Sequence, residues 1–253
     1  MLSSQAAAQT WSARRESEMR DSSGPRHSIK SFTFELRFGG YSPMIDSDAG
    51  LAQQPCGGPY TCYFGKGPQF YFGLELDWLP IRIPYVGKIG PAFGWGFVTF
   101  NGKGHNPAST NWGENWQEDS DAVAGSTGMS LMPMHASAAI RIDEIARRTV
   151  IPLVPYAKLG FGFGTCSTRT GALSTDVNKD AKGFSLGPHI ALGGMLGLNF
   201  LDRRSASMAR ENSGILQAYV FGEWMYDDLS SGLGEAAMNI GSSSWVIGLA
   251  LDL

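Results

Sequence analysis

Residues 241 to 253 read Gly-Ser-Ser-Ser-Trp-Val-Ile-Gly-Leu-Ala-Leu-Asp-Leu, and this stretch restricts the fold more than any other. Trp245, Ile247, Leu249, Leu251 and Leu253 share one parity, while Ser242, Ser244, Gly248, Ala250 and Asp252 share the other. An extended chain would therefore carry one bulky apolar face and one small or polar face. Soluble strands are usually about 5–6 residues long; these thirteen suit a tilted strand that crosses a bilayer. A strand in this position needs its edge paired, most simply against the first strand. The expected result is a closed barrel.

Seven earlier segments repeat the pattern. Phe32, Phe34, Leu36 and Phe38 alternate with Thr33, Glu35 and Arg37 between Ser31 and Phe38. From Gln69 to Leu79, Phe70, Phe72, Leu74, Leu76 and Trp78 oppose Tyr71, Gly73, Glu75 and Asp77. From Lys88 to Phe100, Ile89, Phe93, Trp95 and Phe97 oppose Gly90, Ala92, Gly94 and Gly96. Similar alternation runs through Met129–Ile142, Leu153–Phe163, Phe184–Asn199 and Ile215–Asp227. Charged residues within these segments fall on the parity opposite the bulky one. Eight strands enclose an interior just wide enough for side chains to fill, and large aromatics would overfill it where glycine, alanine, serine and a few charges fit. The bulky face is therefore expected to point outward, against lipid.

The connections agree with this arrangement. Gly39–Pro68, Asn101–Gly128, Thr165–Gly183 and Asp228–Ile240 are long and polar, and they alternate with the shorter Pro80–Gly87, Asp143–Ile151 and Phe200–Gly214. Long external loops and short periplasmic turns have this rhythm. The predicted fold is an all-β, closed, antiparallel up-and-down transmembrane barrel of eight strands over residues 29–253, porin-like in architecture and set in an outer membrane. A transmembrane helix over Gly183–Leu201 is the competing reading, since those nineteen residues carry no Asp, Glu, Lys or Arg. Pro188, five glycines and a sustained period of two argue against it.

Residues 1–28 are polar and unpatterned, with no apolar run of the kind a signal peptide requires. Ala6 and Ala8 nevertheless resemble the small-residue end of one. The expectation is a signal-peptide remnant, whose start lies upstream of Met1, followed by a flexible periplasmic leader. The net charge of -3 gives no electrostatic case for nucleic acid. Three cysteines make neither a disulfide scaffold nor a zinc signature. Cys56 and Cys62 could pair within one loop in an oxidising compartment, or remain two free thiols.

Several segments carry a resemblance to a known family: FTFELRFGGYSPMID at 32–46, IPYVGKIGPAFGWGF at 83–97, IPLVPYAKLGFGFG at 151–164, ALGGMLGLNFLDR at 191–203, FGEWMYDDL at 221–229 and SSWVIGLALDL at 243–253. They are similar to predicted outer-membrane β-barrel proteins of myxobacteria and their relatives. The resemblance covers most of Ser31–Leu253 and implies an exported outer-membrane protein of unassigned biochemical role. It supplies no catalytic residues. One departure is the final residue of the assembly signal, usually aromatic and here Leu253.

Few residues suggest chemistry. Glu35, Arg37, Glu75, Asp77, Arg141, Lys158, Glu223 and Asp227 are the inward charges. Both signs are present, so a paired network plugging the lumen is expected, because isolated charges in a narrow interior are costly. The alternative use of such a column is a relay for a proton or small solute. His135 and Ser137 share a face and could suggest a lipid-modifying enzyme, but they would point into the barrel, away from any acyl ester. Trp112 and Trp116 are candidate loop contacts for a sugar or lipid headgroup. The residues thus predict a non-enzymatic barrel without cofactor or metal, acting structurally or through its external loops. Its expected partners are outer-membrane lipid, the barrel-assembly machinery and an external ligand or protein. Transport of small polar or apolar solutes is the main alternative.

Overall fold

The computed structural model describes residues 32–47, 58–103, 126–148, 152–170, 181–198, 214–232 and 239–253. The segment 1–28, together with Cys56, Trp112 and Trp116, lies outside them. Eight long strands form the wall: β1 (Phe32–Tyr41), β2 (Gln69–Trp78), β3 (Gly87–Lys103), β4 (Ser126–Arg141), β5 (Leu153–Thr170), β6 (Ala181–Gly197), β7 (Gln217–Asp227) and β8 (Ser242–Asp252). Each pairs antiparallel with its chain neighbour. The barrel closes where β1 meets β8, with Thr33 opposite Asp252 and Gly39 opposite Val246. Two short strands extend the wall, Ile81–Ile83 on β3 and Ser231–Gly232 on β6.

The period of two sorts side chains by face. On β8 the odd positions from Ser243 to Leu249 are exposed and the even ones from Ser242 to Ala250 are buried. Trp245 is 73% exposed, Ile247 66% and Phe161 69%, whereas Glu35 and Arg37 are fully buried. No helix of the described residues is long and apolar enough to cross a membrane. An apolar outer wall on a closed barrel has its backbone hydrogen bonds satisfied between strands and only hydrocarbon-compatible side chains facing out. The chain is a transmembrane barrel of the outer-membrane type. Aromatic pairs sit near both rims, Phe32 on Trp78 at the short-turn end and Trp224 on Tyr226 toward the other, each with centroids 6.1 Å apart.

The lumen is not as small-residued as its sequence pattern suggests. Tyr41, Tyr71, Val98, Phe100, Met129 and Leu131 point inward toward the long-connection end, and Leu229 and Ile240 join them from the β7–β8 connection. The inner face tolerates this bulk because glycines lie beside it: a methyl group at Gly96 would enter the Tyr71 ring, and one at Gly193 would enter the Tyr156 ring. The sequence pattern suggested too small an interior because empty positions and large side chains share one parity and fill each other's space.

The first long connection folds over this end. It contains a 3-10 turn, Met44–Ser47, and a short helix, α1 (Pro59–Phe64). Pro59 starts the helix, where a missing N–H costs nothing. The Asp46 carboxylate accepts from the Tyr60 N–H at 2.7 Å, the Thr61 N–H at 2.9 Å and the Thr61 hydroxyl at 2.6 Å. It thereby satisfies donors that the first turn leaves unpaired. Gly65, at φ 81°, ends the helix in the left-handed region. Tyr60 and Phe64 meet Phe100 edge-on at 5.6 and 5.8 Å. Burial, followed by the Asp46 charge, raises the Tyr60 phenol above its ordinary pKa.

Candidate functional site: the charged lumen

The inward residues of β1, β2, β4, β5, β7 and β8 meet in the barrel interior between the apolar layer and the short turns. Register explains why long polar side chains fit there. Arg37 stands opposite Gly73 on one side and Gly248 on the other. Lys158 is flanked by Ala139 and Ala191, Glu75 faces Gly94, and Glu223 faces Gly193. Each long side chain thus has a neighbouring strand position with little or no side chain, leaving room to extend across the lumen.

Three cations organise the acids. Arg37 pairs with Glu75 on the adjacent strand and with Glu223 two strands away. Lys158 Nζ, on β5 and diametrically opposite β1, lies 3.0 Å from Glu35, 2.8 Å from Glu75 and 3.5 Å from Glu223. Arg141 donates through Nη2 to Asp77 at 2.8 Å and Glu35 at 3.3 Å, and through Nη1 to Asp252 at 3.0 Å and the Thr33 hydroxyl at 2.8 Å. Glu35 bridges the Arg141 and Lys158 groups, and Glu75 and Glu223 bridge Lys158 to Arg37. The ion pairs cross the lumen in several directions rather than running along one wall.

Of the eight candidate charges, seven belong to this connected set. The eighth, Asp227, lies farther toward the long connections and holds His189 Nδ1 at 2.6 Å. The carboxylates outnumber the guanidinium and ammonium groups, so protons held by the two histidines bear on the charge balance. His135 places Nε2 3.3 Å from Glu75 and 3.5 Å from Arg37, and its ring stacks on His189. Ser137 is buried on the same strand as His135, and its hydroxyl makes no hydrogen bond among the described residues. The structure therefore joins His135 to the charge network rather than to Ser137.

Asp252, His189, Thr33 and Tyr219 were not singled out from sequence. Tyr219 donates to Asp252 at 3.2 Å, and Thr33 does so at 2.5 Å. Parity alone places all four inward. Their partners lie 33 to 219 residues away in sequence, so only the barrel register shows what they meet. Cys62 lies on α1, while Cys166 is buried as a free thiol in β5.

No protein-family model matches the chain, and no curated protein matches it. Several solved barrels are similar, three of them as follows. The attachment invasion locus protein of Yersinia pestis, solved with the heparin analogue sucrose octasulfate, shares 10% identity over 88% of this chain and 97% of its own, at a TM-score of 0.42. The outer membrane protein OprG from Pseudomonas aeruginosa shares 13% over 88% and 96%, at 0.44. A major outer membrane protein from Thermus thermophilus shares 13% over 88% and 98%, at 0.41.

Proposed function

We propose that this chain is a small outer-membrane barrel with a non-enzymatic role exercised by its external loops, its lumen held shut by its own side chains. The observation that carries this reading is the ion-pair network spanning the lumen from β1 to β5 and from β4 to β8. Continuous conduction would require those pairs to part, and a charge left alone in a narrow interior is costly. With the inner face committed to packing, the parts left for recognition are the long connections, which include Trp112 and Trp116. An unidentified external ligand or protein is the partner this reading assigns to them. The resemblance to myxobacterial barrels of unassigned role is compatible with it.

Planar-bilayer recording of the purified barrel at neutral pH tests the closed lumen. The expected result is no steady current, and a reproducible open state would favour solute transport instead. Replacing residues 104–125 with a short Gly-Ser linker tests the loop role. Cells expressing the unmodified barrel should bind surfaces or cell extracts, and the shortened barrel should still assemble but lose that binding. Unchanged binding would reject the loop assignment.

A further inference from the structure

His135 and His189 lie face to face in the middle of the lumen, ring centroids 3.9 Å apart and planes 5° from parallel. They come from β4 and β6, and β5 between them presents only Gly162 opposite His135 and Gly160 opposite His189. Gly94, opposite His135 on β3, leaves further space, since a methyl there would enter the imidazole. The wall is thus hollowed on two strands to admit this stack.

The two rings are tied to different partners. His135 Nε2 reaches Glu75 and Arg37, while His189 Nδ1 reaches Asp227 at 2.6 Å. The charged groups facing the stack are Arg37 from β1, Glu75 from β2, Lys158 from β5, and Glu223 and Asp227 from β7. Tyr71 on β2 and Ser242 and Ser244 on β8, whose hydroxyls are 2.6 Å apart, are buried in the same interior.

We propose that the His135–His189 stack is a pH-sensitive latch on the lumen network: it holds while the two rings do not both carry charge, and charging both in acid drives the rings apart and loosens the Arg37–Glu75 contact. Charging both rings sets two cations at stacking distance beside the Arg37 guanidinium, in an interior that screens charge weakly. Histidine is the side chain whose ordinary titration, near about pH 6.5, falls in this range. Two groups this close titrate as a pair. Below about pH 6.5 the unfolded chain, where both histidines charge freely, holds more protons on these rings than the stack admits, so stability is lost as pH falls further.

This inference rests on the closed-lumen reading, and the two fail separately. Current at neutral pH overturns the closed lumen, whereas the latch is read from heat unfolding in detergent between pH 7.5 and 5.5. The unmodified midpoint should fall between pH 6.5 and 5.5, while His135→Phe, which keeps a flat ring but takes no proton, should not fall there. The remaining histidines, His27 and His105, are common to both proteins and cancel in the comparison. A parallel fall in both proteins, or no fall in the unmodified one, overturns the latch. Should His135→Phe not fold, nitrogen-15 NMR of the His27→Gln, His105→Gln protein decides. Both rings charged together only at and below the pH where the midpoint drops is expected; both rings charged at pH 7.5 overturns it.

Discussion

Arg141 shows how much of the barrel's stability a single residue can carry. Its guanidinium meets Asp77, Glu35, Asp252 and Thr33, on three different strands. Arg141→Ala should cost about 3–5 kcal/mol, because it leaves buried carboxylates uncompensated. Arg82→Ala removes only a half-exposed pair with Asp143 at 3.6 Å and should cost about 0–1 kcal/mol. Urea unfolding in detergent measures both, and equal effects would contradict the interior role of Arg141. Gly94→Ala should cost about 1–3 kcal/mol by overpacking against the His135 ring. Parity in the sequence was enough to place Arg141 and Asp252 on the inner face. It could not reveal that they touch, since β4 and β8 lie on opposite sides of the barrel and their contact depends on closure.

The strands were legible because lipid enforces the alternation, and they became illegible where lipid ends. β5 runs on through Thr165, Cys166, Ser167 and Thr168, and β6 begins at Ala181, before the bulky outward residues start. Outside hydrocarbon either face of a strand can be polar, so the period of two fades while the backbone pairing continues. Helix α1 leaves no mark in the sequence, since six residues are too few to show a helical period. Leu249, near the middle of β8 and pointing outward, tests the faces. Leu249→Arg should cost about 2–4 kcal/mol near the midplane and prevent stable insertion, whereas Leu249→Met should leave heat-modifiability on gels unchanged. Asp46 tests the cap: Asp46→Ala removes three hydrogen bonds to α1 and should cost about 1 kcal/mol. Trypsin should then cut faster after the exposed Lys66, with the strands left intact.

At the scale of the whole barrel, the closed lumen we propose would rest on two different materials in series. Toward the short turns the seal is electrostatic, built from ion pairs that cross between opposite strands. Toward the long connections it is apolar: Tyr41 stacks on Tyr71 at 5.9 Å and donates to the Ile240 carbonyl at 2.7 Å, and Phe100 is covered by α1. On that reading water and ions would meet an obstacle of different origin in each half, a Coulombic one toward the short turns and a desolvation one toward the long connections. Removing one should leave the other in place. Glu75→Gln or Arg141→Ala should therefore yield a less stable barrel that still passes no current. Replacing residues 58–67 with a Gly-Ser linker should likewise stay silent while the ion pairs hold. Only the combination of a weakened charge network with that replacement should produce steady single-channel events. Conduction from either single change would mean that the two halves of the lumen are one seal, and that the apolar layer serves the fold alone.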